Sequence, residues 1–421
     1  MARAAAPQRR EEANGVQVSV GPAVGPACRN PHADVASCGV LNCRPTGGVR
    51  WPEGFPGGWC GGLKFGMVCG IGGELPEGVM KIGFLLPAKL SLDGAGNGVR
   101  AQALAQAAAL EQCGVSVALL NPWVTWDQQS VDLVHFYSGG MPMFGIERRR
   151  GAQGSPKLLF SPIIDSNEPN YRYRLAAGLG TVLPKLFTIP GELRRQAMGA
   201  GLVVCRSEHE KGRVIHGLGI DPGKVRVVLN GVNPPGSVDA APVLARLNLP
   251  AEFALHVSSY TQPRKNVVRL AEAIGPTGIP LVIAGTAAPG VILERLKGLA
   301  QRYSNIRLLG FMESSDLAAL YSVCKVFCLP SLHEGTGLVA LDAAAYGAEV
   351  VITRNGGPPD YFGRWGRYVD PYDVDTIRRA VVEAWKAPRT GELRRHVLET
   401  LTWEKSAQQL IAAYEEILNI R

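Results

Sequence analysis

From Lys81 onward the chain alternates short apolar runs with longer helix-forming runs, and that alternation constrains its fold more than any other feature. Lys81-Ile82-Gly83-Phe84-Leu85-Leu86-Pro87 reads as a buried strand. A glycine-rich loop follows over residues 93–98. Residues 99–113 are nearly all Ala, Leu and Gln, which favour helix, and Gly114 ends them before a second strand at 115–120. Strand, helix, strand in that order needs a crossover and therefore a parallel sheet. Further strands are predicted at 131–137, 157–164, 201–205 and 225–229, with Ser207 capping a helix that runs to His216. Residues 230–242 are rich in Pro, Gly, Asn and Ala and read as a linker. A second alternating series then begins. Its predicted strands are 253–258, 280–284, 306–309, 326–329 and 350–353, and its helices 266–274, 291–303, 315–323, 376–386 and 403–420. The expected organisation is α/β: two Rossmann-like, doubly wound domains over 80–235 and 236–402 facing a central cleft. The helix in 403–421 is expected to pack back toward the first domain. Ligands of such sheets bind at the carboxyl ends of the strands.

Residues 1–79 do not share this pattern. They hold 16 Gly and 8 Pro with no apolar period, too little to offset the entropy of ordering. They are expected to be a disordered or mis-annotated extension, with the functional chain starting at or near Met80. Five of the nine cysteines (Cys28, Cys38, Cys43, Cys60, Cys69) fall there without a C-x-x-C pair, so no zinc site is expected. The others, Cys113, Cys205, Cys324 and Cys328, sit in apolar segments and read as small buried hydrophobes. No run of eighteen apolar residues occurs, and no apolar block follows the charged residues 1–10. The expected compartment is the cytoplasm.

The net charge of +8 is concentrated in the middle of the chain, where residues 80–245 carry 17 basic and 12 acidic side chains. Local clusters are Arg148-Arg149-Arg150, Arg172 with Arg174, and Arg194-Arg195. They are either solvated surface or a basic face for an anionic membrane or acceptor. Nucleic acid is not an expected partner, because no aromatic residues interleave with the basic ones.

Two segments carry chemistry. After the strand at 326–329 comes Pro330-Ser331-Leu332-His333-Glu334-Gly335-Thr336-Gly337-Leu338-Val339, with Asp342 one turn into the helix that follows. A helix N-terminus offers free amides and the positive end of a dipole, which suits a diphosphate. Gly335 and Gly337 let backbone approach a ligand, and Glu334 and Asp342 could hold two separate hydroxyl clusters. The plain alternative is a turn with a helix cap. The second segment, Gln262-Pro263-Arg264-Lys265-Asn266, follows the first strand of the second series. Cations at a helix start oppose the dipole, which disfavours a merely solvated role. Arg264 and Lys265 could instead stabilise a leaving diphosphate.

With these residues in view, 80–421 resembles glycosyltransferase family four, the retaining group 1 enzymes with the GT-B fold. The resemblance rests on Arg264-Lys265-Asn266, Leu308-Leu309-Gly310-Phe311, Asp316-Leu317, the Glu-x7-acid segment from Glu334, Gly347 and Val350-Val351. Weaker matches are Ser207-Glu208, Asn230-Gly231-Val232 and Trp403-Glu404. The resemblance implies a nucleotide-diphosphate sugar as donor, a glycan or lipid-linked acceptor, and no cofactor or metal. It implies that Glu334 binds the donor sugar and Asp342 the ribose. It also implies that Gly335, Thr336, Gly337, Leu338 and Val339 surround the diphosphate while Arg264 and Lys265 neutralise it. Gly310 and Phe311 would meet the base, and Gly96 and Gly98 would line the acceptor side.

The chain departs from the family pattern in several places. Asp342 stands where Glu is usual, Thr336 where an aromatic is usual, and Tyr137 where His is frequent; the strand ending at Asp165 lacks the usual His. The candidate acceptor-side groups are therefore His135 and Asp165. The expected activity is metal-independent, retaining transfer in cell-surface polysaccharide, lipopolysaccharide or glycolipid synthesis, with possible peripheral contact at the inner membrane face. The alternatives are a catalytically silent binding protein of the same fold, or an epimerase or phosphorylase of related fold.

Overall fold

A computed structural model of the protein describes residues 79–88, 90, 97–120, 131–146, 156–182 and 186–420. All of them fall within one compact unit, Pro56–Arg421. The expected extension up to residue 78, its five cysteines, Gly96 and Arg148-Arg149-Arg150 lie outside the described residues.

The first sheet is built from β1 (Lys81–Leu85), α1 (Gly98–Gln112), β2 (Ser116–Leu120), β3 (Leu133–Tyr137), β4 (Lys157–Ser161), α2 (Asn170–Val182), α3 (Ile189–Gly199), β5 (Leu202–Cys205), α4 (Glu208–Gly212) and β6 (Val225–Val227). Its strand order is β2-β1-β3-β4-β5-β6, and every pairing is parallel. Ile82 pairs with Val117 on one side and Leu133 on the other. The central strands are apolar on both faces because helices cover both sides. Asn97 starts α1, its Oδ1 accepting from the amides of Val99 and Arg100 at 3.0 and 3.3 Å.

The second lobe contains α5 (Ala241–Leu247), β7 (Ala254–Val257), α6 (Val267–Ile274), β8 (Leu281–Ala284), α7 (Val291–Arg302), β9 (Ile306–Gly310), α8 (Ser314–Val323), β10 (Val326–Leu329), α9 (Leu338–Ala345), β11 (Glu349–Thr353), α10 (Pro358–Phe362), β12 (Arg367–Val369), α11 (Val374–Lys386), α12 (Glu392–Thr400) and α13 (Trp403–Leu418). The order β12-β11-β10-β7-β8-β9 is again all parallel. Strand order reverses between β7 and β10. The loops leaving the ends of these two neighbouring strands are the Arg264-Lys265 segment and the Glu334 segment. Such a switch point leaves a crevice in which ligands bind.

The last helix does not pack on the second sheet. Trp403, Ala407, Leu410, Tyr414 and Ile417 of α13 join Ala103, Ala107 and Leu110 of α1 in the first lobe's core. The chain therefore crosses between lobes twice, and the crossings touch. The amide of Val232 donates to Leu401 O at 2.8 Å, and Val232 forms an isolated parallel bridge with Thr402. Gly231 fits because it has no side chain; a Cβ there would lie 2.2 Å from the Trp403 nitrogen.

Several boundaries differ from the sequence reading. The linker is shorter, because α5 already begins at Ala241 inside the expected 230–242 stretch. The helix from Ser207 to His216 is α4 followed by a π-helical turn, Arg213–Gly217. Helices α2, α3, α10 and α12 appear where none was expected. Among the described residues no helix is long and apolar enough to cross a membrane.

Candidate functional site

The β7 and β10 loops meet around Glu334. After β7 the chain makes a tight turn, Pro263–Lys265, and Asn266 adopts φ +60° before α6. The Asn266 amide group donates to Pro330 O at 2.9 Å and Pro371 O at 2.6 Å, and Leu332 N donates to Arg264 O at 2.8 Å. The two loops are thus laced together by backbone. Across that lacing Lys265 Nζ lies 2.5 Å from Glu334 Oε1, Ser331 Oγ donates to the same oxygen at 2.8 Å, and Arg264 stands at 3.8 Å. Glu334 is 6% exposed. Burial alone would raise its pKa, but Lys265 and Arg264 outweigh burial and hold the carboxyl below the usual range.

Three residues on, Gly337 with φ +82° is the N-cap of α9. No side chain caps this end, and it lies three residues past Glu334, the carboxylate that holds the two cations. That arrangement suits a diphosphate. Gly335 lies against the guanidinium of Arg206 from the other lobe, where a Cβ would meet Cζ at 2.3 Å. Thr336 is buried. Its hydroxyl accepts from Asn230 Nδ2 at 3.0 Å and donates to Tyr361 Oη at 3.3 Å; Tyr361 Oη donates in turn to Arg206 O at 2.6 Å. Asn230 Nδ2 also donates to Gln102 of α1 at 3.1 Å. A threonine in place of an aromatic therefore joins a polar network spanning both lobes. Leu338 packs on both lobes' cores, and Val339 on the core of the second.

Asp342, one turn into α9, is half-buried, and burial pushes its carboxyl up to about 7. Gly310 ends β9 with φ +76°, and Phe311 beside it is 55% exposed. Gly98 is the first residue of α1.

The two acceptor-side candidates have different surroundings. His135 is wholly buried on β3, with Tyr414 Oη and Ser161 Oγ each 2.8 Å from one of its ring nitrogens. Burial pushes it down to about 3. It ties α13 to the sheet and stays in the core, away from the Glu334 loop. Asp165 is placed at the lobe junction, where it pairs with Arg206 and lies near Arg264 and His333. Burial would raise its pKa, but Arg206 and Arg264 keep it low.

Arg206 is a site residue that the sequence reading passed over. Its signal was the one used for Arg264, a cation just past a strand's carboxyl end. Buried Glu210 orients it, accepting from the amides of Arg206 at 2.9 Å and Ile164 at 2.5 Å. The chain also holds one Asp-x-Asp triplet, Asp373-Val374-Asp375. Asp373 caps α11, accepting from Asp375 N at 2.8 Å, and Asp375 pairs with Arg378 at 2.5 Å. The triplet is a helix start.

The chain is similar to several known glycosyltransferases. Residues 252–387 match the family model "Glycosyl transferases group 1". The serotype-specific mannosyltransferase WbdA of Escherichia coli is 33% identical over 187 residues, 41% of this chain and 23% of that protein. The O-antigen chain mannosyltransferase B of Escherichia coli is 29% identical over 195 residues, 43% of this chain and 51% of that protein. The chain thus spans between about a quarter and a half of these relatives' lengths. Anabaena HepE in complex with UDP superposes with a TM-score of 0.58 at 18% identity, covering 80% of this chain and all of that one. The likeness of fold is to GT-B glycosyltransferases.

Proposed function

With a group 1 glycosyltransferase domain over residues 252–387 as the premise, we propose that the chain is a retaining glycosyltransferase. It moves a sugar from a nucleotide-diphosphate sugar to a glycan or lipid-linked acceptor in cell-surface polysaccharide or glycolipid synthesis. Residues 80–235 form the acceptor domain and 236–402 the donor domain, with the closing helix in 403–421. The observation that carries this reading is Glu334 held by Lys265 and Arg264 beside the uncapped start of α9.

That cluster fits the charge changes of the reaction. Before donor arrives, Glu334 balances the two cations. A bound diphosphate supplies an alternative anion, and the carboxylate is then free to accept from hydroxyls of the donor sugar. The anomeric C–O bond breaks as negative charge grows on the departing phosphate. Lys265, Arg264 and the amides of Gly337, Leu338 and Val339 stabilise that charge without a metal. The acceptor oxygen bonds to the anomeric carbon on the same face, and its proton passes to the departing phosphate. Asp342 holds the ribose, Gly310 and Phe311 the base, and Gly98 and Asp165 border the acceptor.

The mannosyltransferase names of two relatives favour a mannose donor, and the UDP bound by HepE supports a nucleotide diphosphate as the carrier. The protein acts at the inner membrane face as a peripheral enzyme. On α2, Tyr171, Leu175 and Leu179 form one outward row, with Arg172 and Arg174 on the same helix.

The test is Glu334→Ala in a transfer assay with guanosine- and uridine-diphosphate sugars, run with and without EDTA. Wild-type transfer should survive EDTA. The variant should lose at least two orders of magnitude in rate, about 2.7 kcal/mol of transition-state stabilisation, with nucleotide diphosphate affinity nearly unchanged. Near wild-type turnover by Glu334→Ala would overturn the assignment. Nucleotide binding without any transfer by the wild type would identify a silent binding protein.

A further inference from the structure

His333 stands out in the site because both of its ring nitrogens, Nδ1 and Nε2, have no hydrogen-bond partner among the described residues. It immediately precedes Glu334 and is 6% exposed. A buried polar group left unpaired costs roughly 1–3 kcal/mol, so such groups are rare without a use. His135 and His256, the other buried histidines among the described residues, show the contrast. Both nitrogens of each are engaged within 2.8 Å.

The groups around His333 come from both lobes. The His209 ring of α4 has its centroid 5.5 Å away, Asp165 and Arg206 approach from the ends of β4 and β5, and Glu334 adjoins it. Burial pushes the ring down to about 4, so it is neutral near pH 7. A neutral imidazole offers one N–H donor and one lone-pair acceptor. Its complement is an alcohol, which both donates and accepts, rather than an anion. Asp165, about a third exposed and charged, adds a pure acceptor on the opposite lobe.

We propose that His333 and Asp165 together bind the hydroxyls of the acceptor, making His333 an acceptor-recognition residue carried by the donor lobe. This rests on the transferase reading above and names the acceptor contact within it. His209, Asp165 and Arg206 of the first lobe face the ring and Gly356 of the second lies beside Nε2, so on this proposal a hydroxyl reaches the ring from the first-lobe side, as the lobes part about the paired crossings at Val232 and Thr402. Binding then satisfies an imidazole that is unpaired without ligand. The same loop thereby recognises both substrates, Glu334 the donor and His333 the acceptor.

The test uses His333→Phe, which keeps the ring's bulk, and His333→Gln, which restores a donor and an acceptor. Four quantities are measured: nucleotide diphosphate affinity, hydrolysis of the nucleotide sugar without acceptor, transfer to methyl hexopyranosides, and the imidazole nitrogen resonances of His333. His333→Phe should raise the KM for the methyl hexopyranoside at least tenfold. It should leave diphosphate affinity and hydrolysis within twofold, and His333→Gln should recover part of the loss. An unchanged acceptor KM, or hydrolysis falling in parallel with transfer, overturns the proposal. If the wild type neither transfers nor hydrolyses, the transferase reading fails and the resonances decide the contact. A shift on adding methyl hexopyranosides supports it, and no shift overturns it.

Discussion

At the scale of single residues, the site's chemistry is set by which charges burial leaves paired. Glu334 has two cations and a hydroxyl within reach; Asp342 has burial without a cation, and burial alone lifts it to about 7. An ionised carboxylate accepts from ribose hydroxyls better than a protonated one. Nucleotide diphosphate affinity should therefore strengthen as pH rises through about 7. Asp342→Asn should flatten that dependence and weaken diphosphate and sugar conjugate alike, a KM effect more than a kcat effect. Calorimetric titration at pH 6, 7 and 8 checks both; a dependence that persists in Asp342→Asn would assign it to another group. The motif itself was legible from spacing, since a strand, a glycine-rich loop and a helix start place Glu334 and Asp342 without any tertiary knowledge. His135 was not legible. A histidine within an apolar strand reads alike whether it faces a ligand or, as here, Tyr414 of a helix 279 positions away.

At the scale of elements, the strands with uniformly apolar runs were readable, and the helices that were missed share a physical cause. α2 reads as non-helical because Gly178 and Gly180 interrupt it and large apolar residues point outward. That exposed row favours a lipid surface over a packed core. Tyr171, Leu175 and Leu179 recur every four residues, and Leu186, Phe187 and Ile189 continue the exposed apolar surface beyond the helix. Wild-type protein should co-sediment with phosphatidylglycerol vesicles and much less with phosphatidylcholine ones. The double substitution Leu175→Glu with Leu179→Glu should abolish sedimentation while leaving folding intact, since both side chains are already in water. Equal binding by wild type and double variant would remove α2 from the membrane contact. Another element-scale constraint is Gly231. A methyl there meets backbone at the paired crossing, and backbone cannot rotate aside. Gly231→Ala should cost about 1–3 kcal/mol of stability. It should also alter kcat and KM together, the result expected of a crossing that sets how the lobes approach. A change in stability alone would mean the crossing does not govern closure.

At the scale of the whole molecule, the sequence foretold two doubly wound sheets but not how tightly polar groups bind the lobes together. Asn230 and Arg206 of the first lobe and Thr336 and Tyr361 of the second form a network whose links between lobes span 106 and 155 positions, and no local pattern announces it. Burying so many polar groups makes stability depend on pH in a definite sense. His135 and His256 are held neutral by burial, at about 3 and about 4, and His333 at about 4, against about 6.5 in an unfolded chain. Below about 6.5 the unfolded chain takes up protons that the folded one refuses. Their contribution is therefore complete above about 6.5 and is lost as pH falls toward about 4, at about 1.4 kcal/mol per pH unit for each group. Asp342 acts in the opposite sense. Between about 4 and about 7 the folded protein keeps a proton that the unfolded chain releases, so this group favours the folded state as pH falls. Three histidines outweigh one carboxyl, and the melting temperature should drop from pH 7 to pH 5. Asp342→Asn removes the opposing contribution and should make the drop steeper. A melting temperature that stays level across this range, or a shallower drop in Asp342→Asn, would show that these buried groups do not control the acid limb of stability.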